Sequence, residues 1–198
     1  FYQAYINTYI ERDVRQIKNI TNLSLFIKFL KLCAGRVGQL VNFNSLGVEC
    51  GVSENTIRAW LSVLEASFII YFLQPYHKNF NKRLVKTPKI YFGDTGLVCS
   101  LLGIVDKKQL STHYMRGELF ENFVINDIRK HFYNLGYQPS CYFWRDKMGH
   151  EVDCIVEYRG KSTAIEIKSG QTFNPDFLKG LKYIDALDKN NIRNSLLI

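Results

Sequence analysis

The chain has 198 residues, of which 46% are hydrophobic, 14% aromatic and 22% charged, and its formal net charge is +8. This composition excludes a disordered tail, and no apolar run reaches the roughly 18 residues of a membrane span, so we expect no membrane partner. The five cysteines include no Cys-x-x-Cys pair and the histidines are scattered, which excludes the common zinc motifs and favours reduced thiols in a cytoplasmic protein.

The basic surplus lies in the first part of the chain. Residues 1–113 contain 14 Lys and Arg against 7 Asp and Glu, whereas residues 114–198 contain 12 against 11. Much of the surplus falls in segment 77–89, which carries no acid. The contrast predicts a basic binding module followed by a domain of another kind.

Residues 1–23 have the pattern of a helix, with apolar side chains at Ile6, Ile10, Val14 and Ile17. These positions are spaced by three or four residues, as on one helix face. We interpret the segment as a helix that continues from an upstream domain, so the chain is expected to be a piece of a longer protein.

Residues 24–113 predict a winged-helix-like domain with a connecting helix. A short helical pattern at 45–50 is closed by Gly51, and Ser53 is well placed to cap a second helix. Strand-like runs at 69–73 and 89–92 follow, and the basic segment lies between them, where a wing would be. Trp60 is expected in the core, and Asp94 is expected to cap the next helix.

The predicted nucleic-acid contacts come from this domain. Two polar residues face outward on the second helix and could reach base edges, and the basic residues of segment 77–89 could contact phosphates. The predicted contacts are Asn55, Arg58, Lys78, Lys82, Arg83, Lys86 and Lys89. The alternative is a solvated basic hairpin, or a surface that docks on another domain.

Residues 114–198 predict an α/β domain. The pattern is a helix at 117–135, strands at 142–145, 151–158 and 163–168, a helix from Asn174 to about residue 187, and a last strand. The residues expected on the buried face of the first helix are Phe120, Val124, Ile128, Phe132 and Leu135.

Two carboxylates of this domain are predicted to lie close together. If the last two of the three consecutive strands pair as a hairpin through residues 159–161, Asp153 and Glu166 become neighbours, and Lys168 shares the face of Glu166. Such a pair repels unless a cation offsets it, and Mg²⁺ or Mn²⁺ would serve. Helix geometry makes Glu121, rather than Glu118, the preferred third metal ligand.

The ordered set of helix Glu121, strand Asp153 and strand Glu166-Ile167-Lys168 resembles the pattern of PD-(D/E)xK nucleases. The resemblance implies Asp153, Glu166 and Lys168 as catalytic residues and Glu121, Asp153 and Glu166 as metal ligands. Two departures are Val152, which stands where the family usually has Pro, and Lys179, which stands where some members have Gln four residues before a Tyr.

Almost the whole chain resembles the C-terminal region of bacterial and archaeal AAA+-like ATPases. The motifs are YIERDV at 9–14, KRLVKTPKIYF at 82–92, DTGL at 94–97, GELFENFV at 117–124 and EVD at 151–153. The resemblance implies a winged helix, a PD-(D/E)xK-like domain and a partner ATPase domain that precedes them. ATP is then expected only in that missing domain, since Gly160-Lys161-Ser162 lacks the rest of a Walker A motif.

These observations leave three functions open. The first is metal-dependent cleavage of nucleic acid, with DNA as the expected substrate. The second is a nucleic-acid-binding module without catalysis, and the third is a protein-interaction or regulatory module of the ATPase. Oligomer formation is left open.

Overall fold

The computed structural model describes residues 1–9, 20, 22–76, 85–170, 172–187 and 192–198, with residue 193 described by its backbone alone. It is a mixed α and β structure, in agreement with the predicted class. The helices are α1 (Tyr2–Tyr9), α2 (Leu23–Ala34), α3 (Phe43–Cys50), α4 (Glu54–Ala66), α5 (Thr95–Leu101), α6 (Lys107–Thr112), α7 (Arg116–Asn134), a 3₁₀ turn (Pro175–Leu178) and α8 (Lys179–Leu187). The strands are β1 (Ile70–Pro75), β2 (Lys89–Phe92), β3 (Cys141–Arg145), β4 (Glu151–Tyr158), β5 (Lys161–Glu166) and β6 (Ile192–Leu197).

The chain divides into two compact units. The first unit contains residues 1–72 and 90–115, and the second unit contains residues 73–89 and 116–198. The predicted boundary at 113/114 falls two residues before the second unit resumes at residue 116, and most of the predicted wing lies outside the described residues. Residues 73–76 and 85–89 belong to the second unit, in which the end of β1 pairs with β3 and the backbone N–H of Val85 donates to the carbonyl of Arg145 at 3.1 Å.

The first unit is built on α2, α3 and α4. Gly51, with φ of 75°, ends α3, and the hydroxyl of Ser53 accepts the Thr56 N–H at the start of α4. The ring of Trp60 lies 5.4 Å from that of Phe26 and is buried. The predicted helix end, helix cap and core position of Trp60 are therefore confirmed. Asp94 likewise caps α5 by accepting the Leu97 N–H.

The second unit contains a mixed sheet in which β3, β4 and β5 are antiparallel and β6 runs parallel to β5. Within this unit the strand order is the end of β1, then β3, β4, β5 and β6. The aromatic and aliphatic core against α8 contains Trp144, Val152, Ile155 and Ile184. Gly160 lies in the turn between β4 and β5, and Lys161 and Ser162 begin β5, so this sequence joins two strands rather than a strand and a helix.

The buried face of α7 agrees with the prediction in part, since Val124 and Phe132 are buried as predicted. Leu119, Asn122 and Ile125 are buried, whereas the predicted Leu135 is 48% exposed and lies beyond the last helical residue. Asn122 was not predicted to be buried because its side chain is polar. None of the described helices has both the length and the hydrophobicity needed to cross a membrane.

Candidate functional site

The hairpin formed by β4 and β5 determines the position of the two predicted catalytic carboxylates. Tyr158 pairs with Lys161 across a two-residue turn, in which Arg159 and Gly160 have φ of 50° and 76°. Left-handed backbone at both turn positions suits the right-handed twist of antiparallel strands. The register pairs Cys154 with Ile165, so the adjacent positions, Asp153 and Glu166, face each other on one side of the sheet.

Asp153 and Glu166 share the ammonium group of Lys168. The Lys168 Nζ donates to Asp153 Oδ2 at 3.2 Å and lies 2.5 Å from Glu166 Oε1. Both carboxylate residues are 8% exposed, and the backbone N–H of Ile167 donates to Asp153 Oδ2 at 2.8 Å. Burial alone would lower the pKa of Lys168, but the charges of Asp153 and Glu166 outweigh it and the pKa is raised. Lys168 is therefore a cation at this site.

One of the two carboxylate oxygens of Glu166 has no hydrogen-bond partner among the described residues. This oxygen, Oε2, is buried. Burial first, and then the charge of Asp153, raise the pKa of Glu166 to about 7. Buried carboxylate oxygens nearly always have a partner, so this orphaned oxygen marks a position where a proton or a cation would be stabilised.

Glu121 lies at a second cation, Lys89. The Lys89 Nζ is 3.2 Å from Glu121 Oε1 and 2.6 Å from Glu151 Oε1, and Arg145 Nη1 is 3.3 Å from the other oxygen of Glu151. Burial alone would lower the pKa of Lys89, but the charges of Glu121, Glu151 and Asp153 raise it above its ordinary value. Glu121 does point to the sheet, as predicted, but it contacts an ammonium group there.

The three carboxylates predicted to bind a metal contact two different lysines, Glu121 with Lys89, and Asp153 and Glu166 with Lys168. Within the part of the chain that the structure describes, no group of three or more His, Cys, Asp or Glu residues is placed to hold a metal ion. The residues that fit Mg²⁺ are the pair Asp153 and Glu166, because Mg²⁺ is commonly bound by one or two carboxylates and keeps several waters. The buried free oxygen of Glu166 is the observation that supports this fit.

The predicted nucleic-acid residues have different surroundings. Asn55 is exposed on α4, and Arg58 is bound to Glu54 at 2.7 Å while its guanidinium lies 3.8 Å from the centre of the Phe43 ring. Lys86 is exposed, whereas Lys89 is only 4% exposed. The burial of Lys89 conflicts with the predicted phosphate contact, because its ammonium group already pairs with two glutamates. The predicted contacts Lys78, Lys82 and Arg83 lie outside the described residues.

Glu121, Glu151 and Lys89 form a buried charge network together with Asp153, Glu166 and Lys168. Two of these residues were not predicted from the sequence to take part in it. Glu151 was assigned to a strand without a role, and Lys89 was assigned to a basic wing. The sequence does carry a signal for Glu151, which precedes Asp153 by two residues and therefore shares its face of β4. The pairing of Lys89 with Glu121 and Glu151 depends on contacts between distant parts of the chain.

Comparison with known proteins places the chain among uncharacterized relatives. It is 32% identical over 169 residues to the uncharacterized protein Mb2031c of Mycobacterium bovis and to the uncharacterized protein Rv2008c of Mycobacterium tuberculosis. Each match covers 85% of the chain and 37% of the relative, so the chain spans little more than a third of the length of these proteins. No solved structure matches the chain.

Two family descriptions match in succession along the chain. Residues 116–198 match the domain of unknown function DUF4143, which corresponds closely to the main part of the second unit. Residues 1–108 match a different domain, which covers more than half of the chain. The chain therefore belongs to the family described as domain of unknown function DUF8612.

Proposed function

We propose that the second unit is a metal-dependent phosphodiesterase that cleaves nucleic acid, within the C-terminal region of a AAA+-like ATPase. The observation that carries the proposal is the arrangement of Asp153, Glu166 and Lys168. Two buried carboxylates on adjacent strands share one ammonium group, and one carboxylate oxygen is left without a partner. The order of these residues along the chain is the one that the nuclease resemblance implies for its catalytic residues.

Each residue has a distinct role in this proposal. Asp153 and Glu166 would hold Mg²⁺ or Mn²⁺, which when bound lowers the pKa of an attacking water and offsets charge on the phosphate. The Ile167 N–H and the Lys168 ammonium fix the orientation of the Asp153 carboxylate. Lys168, whose side chain is 32% exposed, is accessible to solvent and would orient the water or stabilise the oxyanion that develops on the phosphate.

The charge of the chain supports a polyanionic substrate. The basic surplus lies in residues 1–113, and among the predicted phosphate contacts Lys86 is exposed in the structure. Phosphate contacts from such residues would supply affinity without reading sequence. The match to DUF4143 over residues 116–198 supports the association with an ATPase that the sequence resemblance implies.

The test is cleavage of duplex, single-stranded and branched DNA in the presence of Mg²⁺ or Mn²⁺. We expect cleavage by the wild-type chain, loss with EDTA, and loss in Asp153→Ala. Asp127→Ala is the matched control, because Asp127 is an exposed carboxylate on α7 outside the site. Failure of pure wild-type protein to cut any of the three substrates with either metal would overturn the proposal.

The second candidate is a module that binds nucleic acid, or its own ATPase domain, without catalysis. It is favoured by the pairing of Glu121 with Lys89, which leaves the predicted third metal ligand engaged with a lysine. In that case the chain binds DNA in a salt-dependent manner without cutting it, and Asp153→Ala leaves the affinity unchanged. Binding that requires a divalent metal and disappears in Asp153→Ala would contradict this candidate.

A further inference from the structure

The carboxylates of Glu121, Glu151, Asp153 and Glu166 form an acidic network, and the side chain of Lys89 is more deeply buried than any of them. Its side chain is 5% exposed, and its ammonium group lies between Glu121 on α7 and Glu151 on β4, at 3.2 and 2.6 Å. The centre of the Phe143 ring lies 5.5 Å from the same nitrogen and covers it on another side. Two carboxylates from different elements therefore converge on one small cation in a largely dry environment.

This arrangement has the charge balance of a cation site. A buried ammonium group is costly to desolvate unless acidic partners are close and correctly placed, and removal of one partner leaves an uncompensated buried charge. Glu151 also forms an ion pair with Arg145 Nη1 at 3.3 Å. The pair Asp153 and Glu166 contacts a different cation, Lys168. The orphaned Oε2 of Glu166 belongs to this second pair and not to the pair around Lys89.

We propose that the Lys89 ammonium is a built-in cation of the acidic network. It occupies the position between Glu121 and Glu151 that a second divalent ion would otherwise take, so a metal is confined to Asp153 and Glu166. The confinement of a metal to Asp153 and Glu166 rests on the proposed function. The position of the ammonium group between Glu121 and Glu151 rests on the geometry around Lys89 alone. Lys89 thereby acts as a positioning residue that determines how many metal ions the network accepts.

The experiment counts bound Mn²⁺ per chain by electron paramagnetic resonance of the free ion. We expect the wild type to bind one ion and Lys89→Met to bind one more, because Glu121 and Glu151 then lack their buried ammonium partner. Lys89→Met combined with Glu121→Gln should return to the wild-type number. Lys130→Met, which removes an exposed lysine of α7, is the matched control and should bind the wild-type number.

The outcomes separate this inference from the proposed function. An increase of one ion in Lys89→Met supports the inference whether the wild type binds one ion or none, and a wild type that binds none contradicts the proposed metal site alone. An unchanged number in a folded Lys89→Met chain overturns the inference.

Loss of the lysine could also unfold the chain, so the thermal midpoint is measured with and without Mn²⁺. Mn²⁺ should raise the midpoint of Lys89→Met more than that of the wild type, and should not do so after Glu121→Gln is added. A Lys89→Met chain that stays unfolded in saturating Mn²⁺ contradicts the proposal, since a divalent ion would then fail to replace the ammonium group.

Discussion

The backbone N–H of Ile167 donates a 2.8 Å hydrogen bond to Oδ2 of Asp153, across the paired strands β4 and β5. Ile167 is buried, so this carboxylate satisfies a backbone donor that water does not reach. The same oxygen also accepts from the Lys168 ammonium. Asp153 thus has a structural role in the hairpin in addition to its proposed role in metal binding.

Replacement of Asp153 should separate these two roles. Asp153→Ala leaves the buried Ile167 N–H unpaired and should lower the free energy of unfolding by about 2 kcal/mol. Asp153→Asn keeps an acceptor oxygen and should cost less, while it still removes the charge. Urea unfolding at about pH 5.5, where Glu166 is largely protonated, makes the comparison clean. Equal stability of the two variants would show that the hydrogen bond to Ile167 contributes little.

Glu166 should make stability depend on pH in metal-free buffer. Its pKa is about 7 in the folded chain and 4.5 ordinarily, so the folded state binds the proton more tightly than the unfolded state. The resulting stabilisation is fully present below about pH 4.5 and is lost as pH rises through about 7. After allowance for solvent screening, this stabilisation amounts to about 2 kcal/mol.

The measurement is the free energy of unfolding of wild type and Glu166→Gln from pH 4 to pH 8 with EDTA present. Gln cannot titrate, so the wild type should lose stability relative to the variant across this window. Saturating Mg²⁺ should remove much of the difference, because a cation at the orphaned oxygen favours the ionised carboxylate. Parallel pH profiles for the two proteins would contradict the raised pKa of Glu166.

Gly180 should tolerate no side chain, because α8 approaches β4 closely at this residue. A Cβ there would overlap the carbonyl oxygen of Glu151 and lie 3.4 Å from Glu166 Oε2. Gly180→Ala should therefore destabilise the chain by about 2 kcal/mol, although Ala is the better helix former. Gly117→Ala is the matched control, since a Cβ at Gly117 meets nothing within 4 Å and should be neutral or slightly stabilising. Thermal unfolding of both variants tests the difference.

The basic segment should supply phosphate contacts through Lys82 and Arg83, which lie outside the described residues. Lys82→Glu combined with Arg83→Glu should weaken DNA binding and lower the steepness of its salt dependence by about 2 in a double-logarithmic plot. The control, Lys107→Glu with Lys108→Glu, reverses two exposed charges on α6. Fluorescence anisotropy at several salt concentrations gives both quantities. Equal losses in the two double variants would indicate a general effect of net charge.

The sequence predicted the features that depend on residues close together in the chain. Ser53 caps α4, Gly51 ends α3, and Asp94 caps α5, as expected from their positions. The hairpin that brings Asp153 opposite Glu166 was predicted for the same reason. A two-residue turn leaves little choice of register, and alternation along each strand then determines which side chains share a face.

The sequence by itself determined the local elements, the hairpin and the order of the acids along the chain. Only the tertiary structure showed that Lys89 belongs to a buried charge network and that Glu121 faces this lysine rather than the pair on β4 and β5. The reason is physical: an exposed and a buried lysine look alike in sequence, and their difference arises when distant carboxylates converge to offset the cost of desolvation. The division of charge along the chain indicated where basic residues are, and packing decided which of them face solvent.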